Sequence, residues 1–176
     1  MGRLRAATGL FAMLVVSLPA MGADPLAVTK VPDWDQVANI KDAAVRLAKM
    51  QQTRGAERAF AFISACYKTH SLSSKYTKAL EACIAQDYLE TQALALVYSR
   101  LPPETLKRLG APSPQKLADA MGRRILAAFA NYDMSVEYAN TFKGLVDEHG
   151  FPIFFGTLFP GAKLPPAKGL ATPEQE

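Results

Sequence analysis

The stretch SACYKTHSLSSKYTKALEAC, at residues 64–83, contains both cysteines of the chain, one near each end. Cys66 and Cys83 lie on either side of the segment SLSS at residues 71–74, whose small polar residues are typical of a turn. When two antiparallel helices are joined by a short turn, residues at similar distances from the turn lie side by side. The stretch therefore predicts an αα-hairpin in which the two cysteines are neighbours.

The N-terminus indicates the compartment in which these cysteines are found. Two arginines precede a short apolar run at residues 10–18, and a proline and small residues follow, which is the pattern of a secretory signal peptide. The run is shorter than the roughly 20 residues of a membrane span, which argues against an uncleaved anchor. The alanine- and arginine-rich composition is typical of bacteria. We predict Sec export, removal of residues 1–22 by cleavage near Gly22 or Ala23, and a periplasmic mature chain without a permanent membrane span.

The cysteine pair is better explained by a structural disulfide than by a reactive or metal-binding site. An even number of cysteines in an oxidising compartment favours a disulfide, which for a loop of this size contributes about 3 kcal/mol in the chain-entropy model. Redox-active pairs are usually spaced as Cys-x-x-Cys. A zinc site needs about four ligands, and we expect His70 to lie beyond Cys66 on the side away from Cys83. We predict a Cys66–Cys83 disulfide, no metal and no cofactor, with His70 solvated at a helix end.

The body of the chain has helical spacing of its apolar residues, and no stretch alternates long enough to predict a strand. At residues 33–52, for example, Val37, Ile40 and Ala44 share one face of a helix. The two segments of the predicted hairpin have the same spacing. The pattern predicts an all-α fold.

Start and stop signals divide the rest of the chain into shorter helices. Pro103 opens a short helix, Ser113 is followed by a proline as at an N-cap, and Gly150 ends a further helix. We predict a compact array of five or six helices in a single domain at residues 36–159, with an N-terminal extension at residues 23–35. The disulfide would join the second and third helices.

Charge and composition exclude some partners. The formal net charge of +4 falls to +2 when the two arginines of the predicted signal peptide are removed, and basic residues form no stripe with aromatic ones. We therefore expect no binding to nucleic acid. The segment at residues 160–176 is polar and rich in proline, with little apolar surface to bury, so we predict a disordered tail.

No motif predicts catalysis. The segment VDEHG at residues 146–150 includes His149, but consecutive helical residues point in different directions and a helix end explains it. Glu81, Asp87 and Glu90 could supply a pair of carboxylates, although we interpret them as the wet face of a helix. No nucleophile elbow or glycine-rich phosphate loop is present. We predict that the protein is not an enzyme, with Glu81, Asp87 and His149 as the only alternatives.

The segment HGFPIFFGTLFPG at residues 149–161 is unusually rich in phenylalanine. It could dock as a lid over the helical core, where each large side chain would contribute about 1.5–3 kcal/mol. If part of it stays exposed, it would instead form a surface for a partner or ligand. For Phe154, Phe155 and Phe159 we predict the second arrangement.

The stretch at residues 66–101 resembles the lysozyme-inhibitor LprI-type family of small exported helical proteins, which carry two cysteines followed by an aromatic-bearing helix. The matching positions are Cys66, Cys83, Tyr88, Leu94 and Tyr98. The resemblance implies an inhibitor of lysozyme or of another cell-wall hydrolase.

These observations together predict a non-enzymatic periplasmic binding or accessory protein that acts on another protein of the cell envelope. An inhibitor or immunity-type protein directed at a cell-wall hydrolase is one alternative. A carrier of a small molecule or lipid in a cavity between helices is another.

Overall fold

The computed structural model describes residues 32–161, which are helical with no strand, as the apolar spacing predicted. The α-helices are α1 (Gln36–His70), α2 (Lys78–Ser99), α3 (Pro103–Arg108), α4 (Pro114–Ala130), α5 (Val136–Leu145) and α6 (Phe151–Leu158). A π-helical turn, Val146–Gly150, joins α5 to α6. Among residues 32–161, no helix has both the length and the apolar character required to cross a membrane. The predicted signal peptide and most of the predicted tail lie outside the described residues.

α1 consists of two helical segments that meet at Gly55. The backbone angles of this residue, φ 80° and ψ 166°, favour glycine and interrupt the helix. Side chains of residues 36–54 contact progressively later positions of α2, from Glu81 to Glu90, so this segment runs parallel to α2. Residues 56–70 form the other arm of the predicted hairpin and run antiparallel to α2. The chain therefore reverses direction at Gly55, and both segments pack on α2.

Side-chain caps fix where several helices begin. Thr77 accepts a hydrogen bond from the Leu80 backbone N–H at the start of α2, at 3.1 Å. Ser113 accepts one from Lys116 N–H at the start of α4, which confirms the cap predicted at this residue. Such caps satisfy backbone donors that have no partner within the helix. They set the starts of α2 and of α4, which packs against it.

α2 is the central helix of the fold. Residues 80–91 are buried without interruption, because both segments of α1, α4, α6 and the π-helical turn surround them. Glu81, Asp87 and Glu90 are therefore buried, and their assignment to a wet helix face is wrong. Buried carboxylates require hydrogen-bond or ion-pair partners in the surrounding helices, so these residues define the polar centres of the molecule.

The phenylalanine-rich segment forms α6 and docks against α1 and the π-helical turn. Phe154 is 0% exposed and Phe155 is buried as well, so the prediction that they form a partner surface is wrong. Phe159, just after the helix, is 43% exposed. Gly150 does not end a helix, contrary to the prediction, because the chain continues through the π-helical turn. Burial of the two phenylalanines makes α6 part of the core.

Candidate functional site

A groove of about 600 Å³ lies between residues 56–70 of α1, α2 and α4. We call it the α1/α2/α4 groove. Its walls are largely apolar and its floor carries a group of polar side chains. The lining residues are Phe60, Ile63, Ser64, Tyr67, Lys68, Ser71, Asp87, Thr91, Leu117, Arg124, Ala127, Ala128 and Asn131.

The floor of the groove is built on the ion pair between Asp87 and Arg124. Arg124 Nε and Nη2 donate to the two carboxylate oxygens of Asp87 at 2.9 and 2.6 Å. This bidentate geometry is among the stronger side-chain interactions in proteins. The hydrogen bonds to Asp87 raise the pKa of the Arg124 guanidinium. The floor therefore carries a fixed pair of opposite charges, of which the carboxylate is buried and the guanidinium is half exposed.

Two hydroxyl groups complete the coordination of Asp87. Tyr67 OH donates to Oδ2 at 3.2 Å, and Thr91 Oγ1 donates to Oδ1 at 3.3 Å from one turn further along α2. Burial, with the negative charge of Asp87, raises the pKa of the Tyr67 phenol well above its ordinary value of 10. Tyr67 therefore remains a hydrogen-bond donor at any physiological pH, and these donors hold Asp87 in one orientation.

Glu81 is the centre of a second polar cluster, between the start of α1 and the start of α2. Its carboxylate accepts hydrogen bonds from Trp34 Nε1 at 2.8 Å, Gln36 Nε2 at 2.6 Å and Asn39 Nδ2 at 2.9 Å. Tyr76 OH adds a further donor at 3.3 Å. In the described part of the chain, no cationic side chain forms an ion pair with Glu81. These neutral donors join Trp34 and the first turn of α1 to the start of α2.

Glu90 has far fewer partners than the other two acids. The residue is 2% exposed, and the one donor to its carboxylate is Gln51 Nε2, at 3.3 Å from Oε1. Its Oε2 and the Oε1 of Gln51 are both buried without a partner. Burial raises the pKa of Glu90 to about 7. A proton on Glu90 would supply the donor that this pair of side chains lacks.

The three acids, from which the sequence left a carboxylate pair open, have different hydrogen-bond partners. Glu81 and Glu90 are bonded to residues of the first segment of α1, whereas Asp87 is bonded to α4. Within residues 32–161, no side chain donates a hydrogen bond to more than one of these three carboxylates. In the π-helical turn, Nε2 of His149 lies 3.8 Å from Oε1 of the adjacent Glu148. The described residues thus form separate polar clusters.

The disulfide between Cys66 and Cys83 is present, with the Cα atoms 5.7 Å apart, and it confirms the predicted hairpin. The position expected for His70 is wrong. One ring nitrogen of His70 and both sulfur atoms lie within 4.8 Å of one another, and the imidazole is half-buried. His70 follows Cys66 by one helical turn, so both side chains lie on the same face of α1, towards α2.

The sequence contains only a weak signal for the residues of the groove. Asp87 and Thr91 are four residues apart on one helix, which places them on one face. Arg124 and Tyr67 are separated from Asp87 by 37 and 20 positions in the sequence. Nothing local to Arg124 distinguishes it from the neighbouring Arg123. The ion pair could be identified only once α2 and α4 were seen to pack together.

Comparisons with known proteins find no relative of this chain. No protein-family model matches it, and no curated protein or solved structure does so either. The resemblance of residues 66–101 to the LprI-type inhibitors therefore stays a prediction.

Proposed function

We propose that the protein is a non-enzymatic, exported binding protein and that its ligand is a small amphipathic organic monoanion held in the α1/α2/α4 groove. The groove itself supports this proposal. Its volume of about 600 Å³ is within the range of about 300–1,000 Å³ typical of small-molecule sites. Such sites combine apolar walls with a few oriented polar groups, and this groove has the same composition.

The walls favour an apolar body in the ligand. Phe60 and Ile63 of α1 face the groove together with Leu117 of α4. Phe60 is 38% exposed, and a ligand lying along it would remove apolar surface from water. Burial of apolar surface contributes about 25 cal/mol per Å². A short alkyl chain or a compact apolar ring system would match these walls.

The charges favour a head group with one negative charge. Because Asp87 neutralises Arg124, the ammonium group of Lys68 carries the uncompensated charge among the lining residues. Asp87 occupies Nε and Nη2 of Arg124, which leaves the Nη1 donor for an oxygen of the ligand. Of the alternatives that the sequence left open, this proposal corresponds to the carrier of a small molecule or lipid.

Calorimetric titration of the mature protein with dodecanoate tests the proposal. We expect binding at a ratio of one to one. Dodecyltrimethylammonium has the same chain length but a positive head group, and we expect it to bind at least about tenfold more weakly, a difference of about 1.4 kcal/mol. Equal affinity for the anion and the cation would contradict the proposed charge selectivity, and no binding of dodecanoate would contradict the proposal as a whole.

A matched pair of surface variants locates the binding site. Phe60 lines the groove, whereas Leu126 on α4 is 40% exposed and is absent from the lining. Phe60→Glu places a negative charge in the groove and should weaken binding of dodecanoate by at least about tenfold, which is 1.4 kcal/mol. Leu126→Glu should leave the affinity unchanged. Equal losses in the two variants would show that the ligand binds elsewhere.

An envelope-protein partner is the second candidate, and one observation favours it. Val97 and Phe159 are exposed large apolar residues that line the same small depression, of about 190 Å³. Exposed apolar patches often mark interaction sites. If the partner is lysozyme or a related hydrolase, the purified protein should inhibit hydrolysis of cell-wall substrate, and Phe159→Ser should abolish that inhibition. Val136→Ser, at another exposed apolar position, serves as the control, and a lack of inhibition by the wild-type protein would contradict the hydrolase version.

A further inference from the structure

A second cavity, of about 610 Å³, lies beside the disulfide. Cys66 and His70 are part of its lining, and Cys83, which is not, is bonded to Cys66. The cavity exposes the Cys66 side of this disulfide to solvent, whereas Cys83 is 0% exposed.

The donor atoms of Cys66, His70 and Cys83 are close enough for a single metal ion. All of them lie within 4.8 Å of one another. Around a tetrahedral zinc ion, with Zn–S near 2.3 Å and Zn–N near 2.0–2.1 Å, donor atoms lie about 3.5–3.8 Å apart. The Cα separation of the two cysteines is 5.7 Å, and helices α1 and α2 fix it. Small rotations of three side chains would therefore bring the donors to bonding distance once the sulfurs are free.

The lining of the cavity favours thiolates. Arg46 and Lys78 are both part of it, and no acidic side chain is among its lining residues. Nearby cationic groups stabilise the thiolate form of cysteine, which is the form that binds metals. Two thiolates would in turn neutralise a divalent ion. A site with two cysteines and one histidine keeps a fourth position open for water or substrate, as in one known class of zinc site.

We propose that Cys66, Cys83 and His70 form a redox-gated zinc site that is available only when the disulfide is reduced. A dithiol reductant transfers two electrons and two protons to the disulfide: the S–S bond breaks, two thiols form, and the dithiol becomes a disulfide. Zn²⁺ then binds the two sulfurs and one nitrogen of His70, and the two thiol protons are released to water. In the oxidised protein both sulfurs are bonded to each other and cannot act as thiolate ligands.

Titration with Co²⁺, as a spectroscopic substitute for Zn²⁺, tests this proposal. The mature protein is reduced under anaerobic conditions, the reductant is removed, and Co²⁺ is added while visible absorption and far-ultraviolet circular dichroism are recorded. We expect thiolate-to-cobalt charge-transfer bands that saturate at one ion per chain and disappear when Zn²⁺ is added. The oxidised protein should show no such bands. Bands of equal strength in the oxidised protein, or none in a reduced protein that remains helical, would overturn the proposal.

The two histidines of the chain provide a matched pair of variants. His70→Ala removes a ligand and should weaken binding at least about tenfold, because even outer-shell partners of metal ligands are worth about 10–100-fold. His149→Ala should bind like the wild-type protein. Equal affinity of His70→Ala and wild type would overturn the assignment. If reduction unfolds the protein, Zn²⁺ should restore the helical dichroism of the wild type but not of His70→Ala, and failure to do so would equally refute the site.

Discussion

Replacement of Glu90 by glutamine tests the electrostatics of the core most directly. The residue is 2% exposed, and its carboxylate has one long hydrogen bond, from Gln51. Glutamine has nearly the same shape but no charge at any pH. Its amide can also donate to Gln51 Oε1, which is buried without a partner. We therefore expect Glu90→Gln to stabilise the protein at alkaline pH and to have little effect at acidic pH.

The magnitude follows from the pKa of Glu90, which burial raises from 4.5 to about 7. Well below pH 4.5 the group is protonated in both the folded and the unfolded chain, so folding changes no proton binding. Between pH 4.5 and 7 the unfolded chain releases the proton first, so the free energy of unfolding falls as the pH rises. Well above pH 7 the full cost of the buried charge is present, about 3 kcal/mol at 1.36 kcal/mol per pKa unit.

Urea denaturation followed by circular dichroism measures this difference. Wild type and Glu90→Gln are compared at pH 4 and pH 8.5 with the disulfide intact, so that the titration of all other groups cancels in the comparison. The variant should gain about 3 kcal/mol over wild type between the two pH values. Glu57→Gln, at an exposed position on α1, is the control and should stay within about 0.5 kcal/mol of wild type at both. If the stability of Glu90→Gln follows that of wild type in parallel, Glu90 is ionised without cost and the reasoning is refuted.

Three further predictions concern the packing of the core and the hairpin, each measured as the free energy of unfolding in urea. Gly150→Ala should destabilise by about 1–3 kcal/mol, because the added Cβ would approach Ile40 Cγ2 to 3.0 Å. In the control variant Gly144→Ala the added Cβ meets nothing within 4 Å, so this variant should not be destabilised. Similar losses of stability in the two variants would contradict this account. Phe154→Ser should lower the free energy of unfolding by about 3–5 kcal/mol. Phe159 is half exposed, so Phe159→Ser should lower it by less than about 1 kcal/mol. A Phe154→Ser variant as stable as wild type would mean that α6 is not docked. Reduction of the disulfide should lower stability by about 3 kcal/mol for its sequence separation of 17 residues, and titration of free thiols in protein purified without reductant would argue against the bond.

Local sequence signals were sufficient for most of the helices and for the hairpin. The spacing of apolar residues reports which face of a helix is buried, and caps such as Ser113 report where a helix begins. The position of Cys66 and Cys83 about a short turn determined the disulfide, because neighbouring antiparallel helices place equidistant residues in contact. These inferences needed only residues that are close in the sequence.

The candidate sites could not be predicted in the same way. Apolar periodicity assumes that a helix has one buried face and one wet face, but α2 is surrounded on all sides, so Glu81, Asp87 and Glu90 lie in the core. Whether each acid has a cation, neutral donors or almost no partner depends on which distant helix packs against it. The docking of α6, which buries Phe154, depends in the same way on contacts with α1.

The sequence by itself therefore determined that this is an all-α protein with a disulfide-linked helical hairpin, because those features depend on helical periodicity and on a short turn. Only the tertiary structure decided that the Asp87–Arg124 pair forms the floor of a groove and that a ring nitrogen of His70 lies within 4.8 Å of both sulfur atoms. The physical reason is that the burial and the partners of a side chain are set by packing between helices that are far apart in the sequence. Local periodicity contains no information about which helices pack together.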